Sequence, residues 1–246
     1  MSFNPCLIIP AYNHYRKIPD ILTTAANLNL PALVIDDGNN PEVAAHLKSA
    51  VDKFPGAALA VHPVNRGKGA AVQTGFHWAI SKKYSHIVQI DADGQHDLND
   101  IPKFLETAKT YPEHLVLGQP IYDATVPKSR YMGRYITHFW VAVETLSRAV
   151  GDTLCGFRVY PTPAVEKLLK KTKLKDRMDF DCEIAVRLYW QKLNIKHVDT
   201  KVIYGGEESS NFRLLKDNVL ISLNHTTLVV QMLFFKWPGL LFRKNR

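Results

Sequence analysis

Asp91 and Asp93, in the run Asp91-Ala92-Asp93-Gly94-Gln95-His96, stand one residue apart just after the apolar stretch His86-Ile87-Val88-Gln89-Ile90. Two carboxylates held where a strand ends offer hard oxygens to Mg2+ or Mn2+. An ion there neutralises a diphosphate leaving group as Lewis acid and template. The same spacing also suits a plain strand end followed by a turn, with Asp93 bonding nearby backbone. Asn65-Arg66-Gly67-Lys68-Gly69 precedes a helical pattern from Ala70 to Ile80. A glycine-flanked lysine at a helix start presents backbone N–H groups and a cation to phosphate oxygens. It lacks the spacing of a Walker A loop, and its plainer reading is a loop with a solvated lysine. Asp36-Asp37-Gly38 either sets a carboxylate on a ribose or base or closes a strand with a turn. Asp181 and Glu183 form a second carboxylate pair, from which a hydroxyl acceptor would draw a general base. Helical spacing puts the two on different faces, so one at most is expected to point inward. Arg130 and Arg134, four apart, share a helix face and would clamp an anionic phosphate, or else form a solvated basic face.

These residues need a scaffold that gathers strand ends. Cys6-Leu7-Ile8-Ile9, Leu33-Val34-Ile35, Ala58-Leu59-Ala60-Val61, His86 to Ile90 and Leu115-Val116-Leu117 are short apolar runs closed by Pro, Asp or Gly, as buried parallel strands are. Ile18, Ile21, Leu22, Ala25 and Ala26 mark one face of an amphipathic helix between the first two, and Ile101, Phe104, Leu105 and Ala108 mark another after the fourth. The alternation predicts an α/β fold with a parallel sheet and right-handed crossovers, whose ligands bind beyond the strands' carboxyl ends. The second half is less regular. It holds a Lys/Arg/Tyr-rich stretch from Lys128 to Tyr135, an apolar run from Ile136 to Val150, a turn-bounded Leu154 to Tyr160, a helical pattern near Asp181 to Tyr189 and a strand-like Val198 to Tyr204.

The 246 residues carry 31 Lys and Arg against 23 Asp and Glu, a net charge of +8, and 46% are apolar. That balance excludes dominant disorder and allows one large core. Three cysteines, Cys6, Cys155 and Cys182, without CxxC spacing, give neither a disulfide framework nor a zinc site, and fit a reducing cytoplasm. No signal-peptide pattern opens the chain, so a cytoplasmic location is expected. The basic residues are dispersed, without an aromatic-interleaved stripe, which disfavours nucleic acid and leaves anionic lipid or phosphorylated small molecules as partners.

In order, Ile8-Ile9-Pro10-Ala11-Tyr12-Asn13, Val34-Ile35-Asp36-Asp37-Gly38, Asn65 to Gly69, Asp91 to His96 and Cys155-Gly156-Phe157-Arg158 resemble family 2 glycosyltransferases, closest to the dolichyl- and polyprenyl-phosphate hexosyltransferase branch. The likeness is clear over roughly residues 5 to 120 and thinner to about residue 205. It implies a GT-A, Rossmann-like, mostly parallel central sheet flanked by helices. It further implies that Pro10, Ala11 and Tyr12 line the base and ribose pocket, that Asp37 holds base or ribose, and that Lys68 and Gly69 lie near the nucleotide. Asp91 and Asp93 would meet the metal-bound diphosphate, with Gln95 as third metal ligand and His96 behind it. The segment ending in Arg158 would pack beneath the sugar and acceptor pocket, where Cys155 and Phe157 read as ordinary core.

Two departures touch the acceptor side. Gly118-Gln119-Pro120 stands where that branch carries Gly-Ser-Arg or Gly-Ala-Arg, and the C-terminal transmembrane pair of some members is missing. Leu214 to Phe235 is apolar yet interrupted by Asn218, Asn224, His225 and Gln231, short of the roughly 18 uninterrupted residues of a membrane span. With Phe234-Phe235-Lys236-Trp237-Pro238 and the basic end, residues 214–246 read as an amphipathic helical segment, either lying in a bilayer interface or packing on a catalytic domain of residues 1–213. The expectation is an inverting, Mg2+- or Mn2+-dependent transfer of a hexose from a UDP- or GDP-linked sugar to a lipid or hydroxyl acceptor, polyprenyl phosphate among them, at the cytoplasmic membrane face. A sugar nucleotidyltransferase and a non-catalytic membrane or nucleotide-binding module are the alternatives.

Overall fold

The computed structural model describes residues 2–121, 128–202 and 213–243, with backbone alone at 128–133 and at 214. Seven strands, β1 (Pro5–Ala11), β2 (Ala32–Asp36), β3 (Ala57–Val61), β4 (His86–Gln89), β5 (Leu115–Ile121), β6 (Arg158–Pro161) and β7 (Ile195–Lys201), form one sheet in the order β3-β2-β1-β4-β6-β5-β7. Strand pairing is parallel from β3 through β4 and again between β5 and β7, whereas β6 runs antiparallel to both its neighbours.

Both faces of the sheet are covered, which is why its central strands read as continuous apolar runs. On β1 the side chains alternate. Leu7 and Ile9 pack with Ile21 and Leu22 of α1 (Ile18–Asn27), Leu47 of α2 (Pro41–Val51) and Phe104 of α4 (Ile101–Thr110). Cys6 and Ile8 pack with Phe76 of α3 (Lys68–Ser81), Val165 of α6 (Thr162–Leu169) and Ile184 of α7 (Phe180–Trp190). Leu7, Ile8 and Ile9 are fully buried, each such side chain being worth about 1.5–3 kcal/mol. Sheet order reverses between β1 and β4, so the residues following these two strands flank the crevice where ligands of open α/β sheets bind.

All five expected strands are present, and the sixth, expected at 198–204, begins three residues earlier, at Ile195. The sheet is mostly parallel, as the resemblance implies, with β6 as its antiparallel strand. Gly156, two residues before β6, already packs on Asp91 at the carboxyl edge. A strand that starts from that edge must run back against its neighbours.

α5 (Lys128–Thr145) and α8 (Leu214–Gln231) pack together beside the sheet, and a π-helical turn, Met232–Lys236, leads into α9 (Trp237–Leu241). The segment Leu215–Leu241 is long and apolar enough, by length and composition, to cross a membrane. Three of the polar residues that interrupt it turn towards the rest of the fold, whereas Asn218 is exposed. Asn224 Nδ2 donates to the Asp179 carbonyl at 3.1 Å, His225 Nδ1 lies 2.6 Å from Glu144 Oε1, and Arg187 donates to Gln231 Oε1 at 3.1 Å. Leu215, Leu223, Phe234, Phe235 and Phe242 are exposed on the outside.

Candidate active site

Asp91 follows β4, and its carboxylate lies against Gly156, where a Cβ would collide with both oxygens. Glycine is therefore required there by close approach. Lys68, the first residue of α3, reaches the same carboxylate: Nζ is 2.9 Å from each Asp91 oxygen and 2.8 Å from Asp181 Oδ2 near the start of α7. One ammonium thus bridges two carboxylates brought from distant parts of the chain. Behind it the fully buried Arg158 stands 3.6 Å from Asp181 Oδ1. Its guanidinium donates to the carbonyls of Cys155 at 2.8 Å, Asp181 at 2.9 Å and Thr153 at 2.6 Å, so it braces the floor from within.

Charge is stabilised at this point. Burial works against the Lys68 ammonium, yet Asp181 and Asp91 outweigh it and hold the pKa above the ordinary lysine range. Burial likewise opposes ionisation of Asp91, and Lys68, with His96, holds that carboxyl well below the usual range. Cys155 and Cys182 go the other way, pushed up to about 12 by burial, so neither offers a thiolate.

The loop carrying Lys68 is fixed by Asp37. Its oxygens take the N–H groups of Arg66 at 3.0 Å and Gly67 at 2.8 Å and the Asn65 amide at 2.9 Å, and His62 Nδ1 lies 2.7 Å away. A carboxylate has about four lone-pair sites, and these partners fill them. Asp37, which the resemblance sets near base or ribose, has its oxygens on this loop. The N-terminus of α3 is similarly committed, since the Ala70 N–H donates to the Asp176 carbonyl at 2.9 Å. Gly67 has φ +105°, and a Cβ there would strike Asp176 and Arg177. Lys68 itself, more than a backbone N–H cradle, is what this loop offers to phosphate. The partner loop around Asp176 was missed from sequence, where Lys173 to Asp179 shows only a polar turn.

Asp36 does the same for the end of β1: its Oδ1 accepts from Asn39, whose Nδ2 holds the Ala11 carbonyl at 2.9 Å and whose Oδ1 receives the Asn13 N–H at 2.6 Å. Pro10 and Tyr12, half-buried, and buried Ala11 border the crevice from this side. Gly69 is buried under Lys175 and Phe180.

Asp181 and Glu183 are both buried, against the expectation that one at most points inward. They face different surroundings. Asp181 joins Lys68, whereas Glu183 accepts the Lys175 N–H at 2.6 Å and pairs with Arg187 at 2.8 Å. Arg134 pairs with the buried Asp152 at 2.6 Å, and Asp152 Oδ1 accepts the N–H groups of Leu154 and Cys155. The arginine thus steadies the loop that leads to Gly156. The Arg130 side chain lies outside the described residues.

The donors around Asp91 suit a hard cation. Asp91 presents two carboxylate oxygens, both against the Lys68 ammonium, Asp93 gives Oδ1 to the Gln95 N–H at 3.0 Å, and all are oxygens. Among the described residues no three His, Cys, Asp or Glu side chains converge as a metal cage. An ion here would be completed by substrate phosphates, as Mg2+ sites commonly are.

The Glycosyl transferase family 2 model matches residues 6–169 of this chain. A dolichyl-phosphate beta-glucosyltransferase of Dictyostelium discoideum is 26% identical over 89% of this chain and 74% of its own length. A UDP-N-acetylglucosamine–dolichyl-phosphate N-acetylglucosaminyltransferase of Methanococcus voltae is 26% identical over 80% of this chain and 85% of its own. The fold is shared with glucosyl-3-phosphoglycerate synthase of Mycobacterium tuberculosis, crystallised with Mn2+ and UDP-glucose, at TM-score 0.65 and 14% identity over 94% of this chain and 78% of that one. With a GT-A-type sheet and the five ordered motifs gathered at its switch point, the chain belongs to glycosyltransferase family 2.

Proposed function

We propose that the protein moves a hexose from a UDP- or GDP-linked sugar to a polyprenyl phosphate at an anionic membrane surface facing the cytoplasm, with inversion at the anomeric carbon. The observation that carries this reading is the Lys68 ammonium set between Asp91 and Asp181 at the sheet's switch point, an alternation of charge suited to a diphosphate and its counter-ion. The dolichyl-phosphate acceptors in the names of the two relatives support the acceptor class, and the UDP-glucose complex of the structural neighbour supports the donor class.

In this reading Pro10, Ala11 and Tyr12 receive the base and ribose, and Lys68 takes diphosphate oxygens. Asp91, Asp93 and Gln95 would hold Mg2+ or Mn2+, which supplies Lewis-acid neutralisation of the leaving diphosphate. A phosphate acceptor arrives ionised at neutral pH and needs no strong base. Asp181 then serves to hold the Lys68 cation rather than to take a proton, and Glu183, spent on Arg187, plays no chemical part. Arg130 is the candidate for the acceptor phosphate, with Arg134 occupied at Asp152. The chemistry is mostly positioning and preorganised charge. The exposed apolar side chains between Leu215 and Phe242 seat the domain in the bilayer interface.

The test is incubation of the full chain with UDP- and GDP-hexoses, Mn2+ or Mg2+, and polyprenyl phosphate in vesicles. Release of nucleoside diphosphate together with a glycosylated lipid is expected. Pyrophosphate formed from a sugar phosphate and a nucleoside triphosphate, with no glycolipid, would assign nucleotidyl transfer instead.

A further inference from the structure

Asp91 stands here both as a metal ligand and as the partner of a lysine. Its two oxygens are each 2.9 Å from Lys68 Nζ, and the lysine side chain is only 15% exposed. A hydrated divalent ion takes Asp91 only at a cost while the ammonium holds that place, because two cations would then share one carboxylate at close range. The protein supplies no other three-ligand cage among the described residues to draw an ion past this obstacle. Lys68 has somewhere to go. Asp181 Oδ2, 2.8 Å away, keeps hold of the ammonium when Asp91 is released, and Lys has a flexible four-carbon stem. Asp181 itself is held by Arg158 from behind and cannot follow.

We propose that Lys68 is a resident counter-ion that bars the divalent cation from Asp91 until a donor diphosphate draws the ammonium away, so that nucleotide and metal bind as a pair. The inference rests on the nucleotide-sugar reading of the site and adds an order to it. Phosphate oxygens attract the Lys68 ammonium, Asp91 is uncovered, and the same phosphate supplies the ligands that the protein lacks. Without nucleotide the site balances its own charge and takes up little metal.

The test measures Mn2+ binding to the full chain by titration calorimetry and by the paramagnetic resonance signal of free Mn2+, with and without UDP. In the unaltered protein UDP should strengthen Mn2+ binding strongly. Lys68→Met should bind Mn2+ without nucleotide about tenfold or more tightly than the unaltered protein, and UDP should add less. Should Lys68→Met leave the Asp91 and Asp181 charges too crowded to fold, Lys68→Met with Asp181→Asn removes the repulsion and keeps the comparison. Adding Asp91→Asn should cancel the gain, which ties it to this carboxylate. Nucleotide-free Mn2+ affinity unchanged or weakened in the lysine variants, with UDP-dependent Mn2+ binding still present, overturns the counter-ion role and leaves the transferase reading standing. No Mn2+ binding in any variant, with or without UDP, overturns both this inference and the metal part of the proposed function.

Discussion

Asp93 spends one carboxylate oxygen on the Gln95 N–H at 3.0 Å and is half-exposed. Asp93→Ala should therefore cost the fold no more than about 1 kcal/mol, while transfer falls by about a hundredfold or more if the side chain serves the diphosphate. Glu183→Gln should do the opposite, because it strips a buried partner from Arg187 and weakens its hold on the Lys175 N–H. Stability should drop by about 3 kcal/mol and turnover per folded molecule should persist. Urea unfolding paired with product formation reads both; normal turnover in Asp93→Ala, or a dead but stable Glu183→Gln, rejects these assignments. Spacing alone marked Asp181 and Glu183 as a pair on different faces. It did not reveal that both faces are buried, because that depends on α7 lying between the sheet and α8. Nor does any local pattern join Lys68 to Asp181: their meeting is set by strand order, a non-local property. Asp91 was legible as chemistry because it follows an apolar run with a second aspartate and a glycine just after it, and Lys68 because glycines flank it at the start of a helical pattern.

At the scale of elements, the loop between α5 and β6 decides how the floor under Asp91 is built. Asp152, buried between Arg134 and the N–H groups of Leu154 and Cys155, ties α5 to that loop. Burial opposes its charge, but His138, Arg134 and the Leu154 N–H outweigh it and keep the carboxyl below the usual carboxylate range. A carboxyl depressed in the folded state adds stability above its unfolded pKa, and that share is lost as pH falls through the folded value. Asp152→Asn should therefore cost about 3 kcal/mol at pH 7. Its deficit relative to the unaltered protein should narrow as pH drops below about 4. Denaturant midpoints at pH 7 and pH 3 check the sign; a deficit that stays constant or widens in acid contradicts it. The antiparallel β6 within the same region escaped the sequence reading for a related reason. Its four residues, Arg158 to Pro161, are all buried like those of a parallel strand, and direction is fixed only by where the preceding loop leaves the chain.

For the whole molecule, α8 and the segment after it combine buried polar groups bonded to the domain with large apolar side chains left exposed. Asn224, His225 and Gln231 bond towards Asp179, Glu144 and Arg187, while Leu215 and Leu223 of α8 and Phe234, Phe235 and Phe242 beyond it are exposed, as are Ile136 and Phe139 of α5. Three of the interruptions that argued against a membrane span in the sequence, Asn224, His225 and Gln231, are thus residues that join the helix to the domain. A helix crossing a bilayer alone would strand those amides and the imidazole in hydrocarbon, at a cost of several kcal/mol for groups left without partners. A helix lying in the interface keeps them on the domain and gives its aromatic side to lipid, with the chain's excess of positive charge adding attraction to anionic headgroups. Flotation with vesicles should follow both terms. Binding should rise with the anionic lipid fraction and weaken in high salt. Phe234→Ser with Phe235→Ser should release most of the protein while leaving hexose transfer to a short, water-soluble polyprenyl phosphate unchanged. Resistance of the bound protein to extraction by high salt and alkaline carbonate would mean that the helix leaves the domain and spans the bilayer. Loss of transfer to the soluble acceptor in the double variant would place those phenylalanines in the acceptor path and not on the lipid.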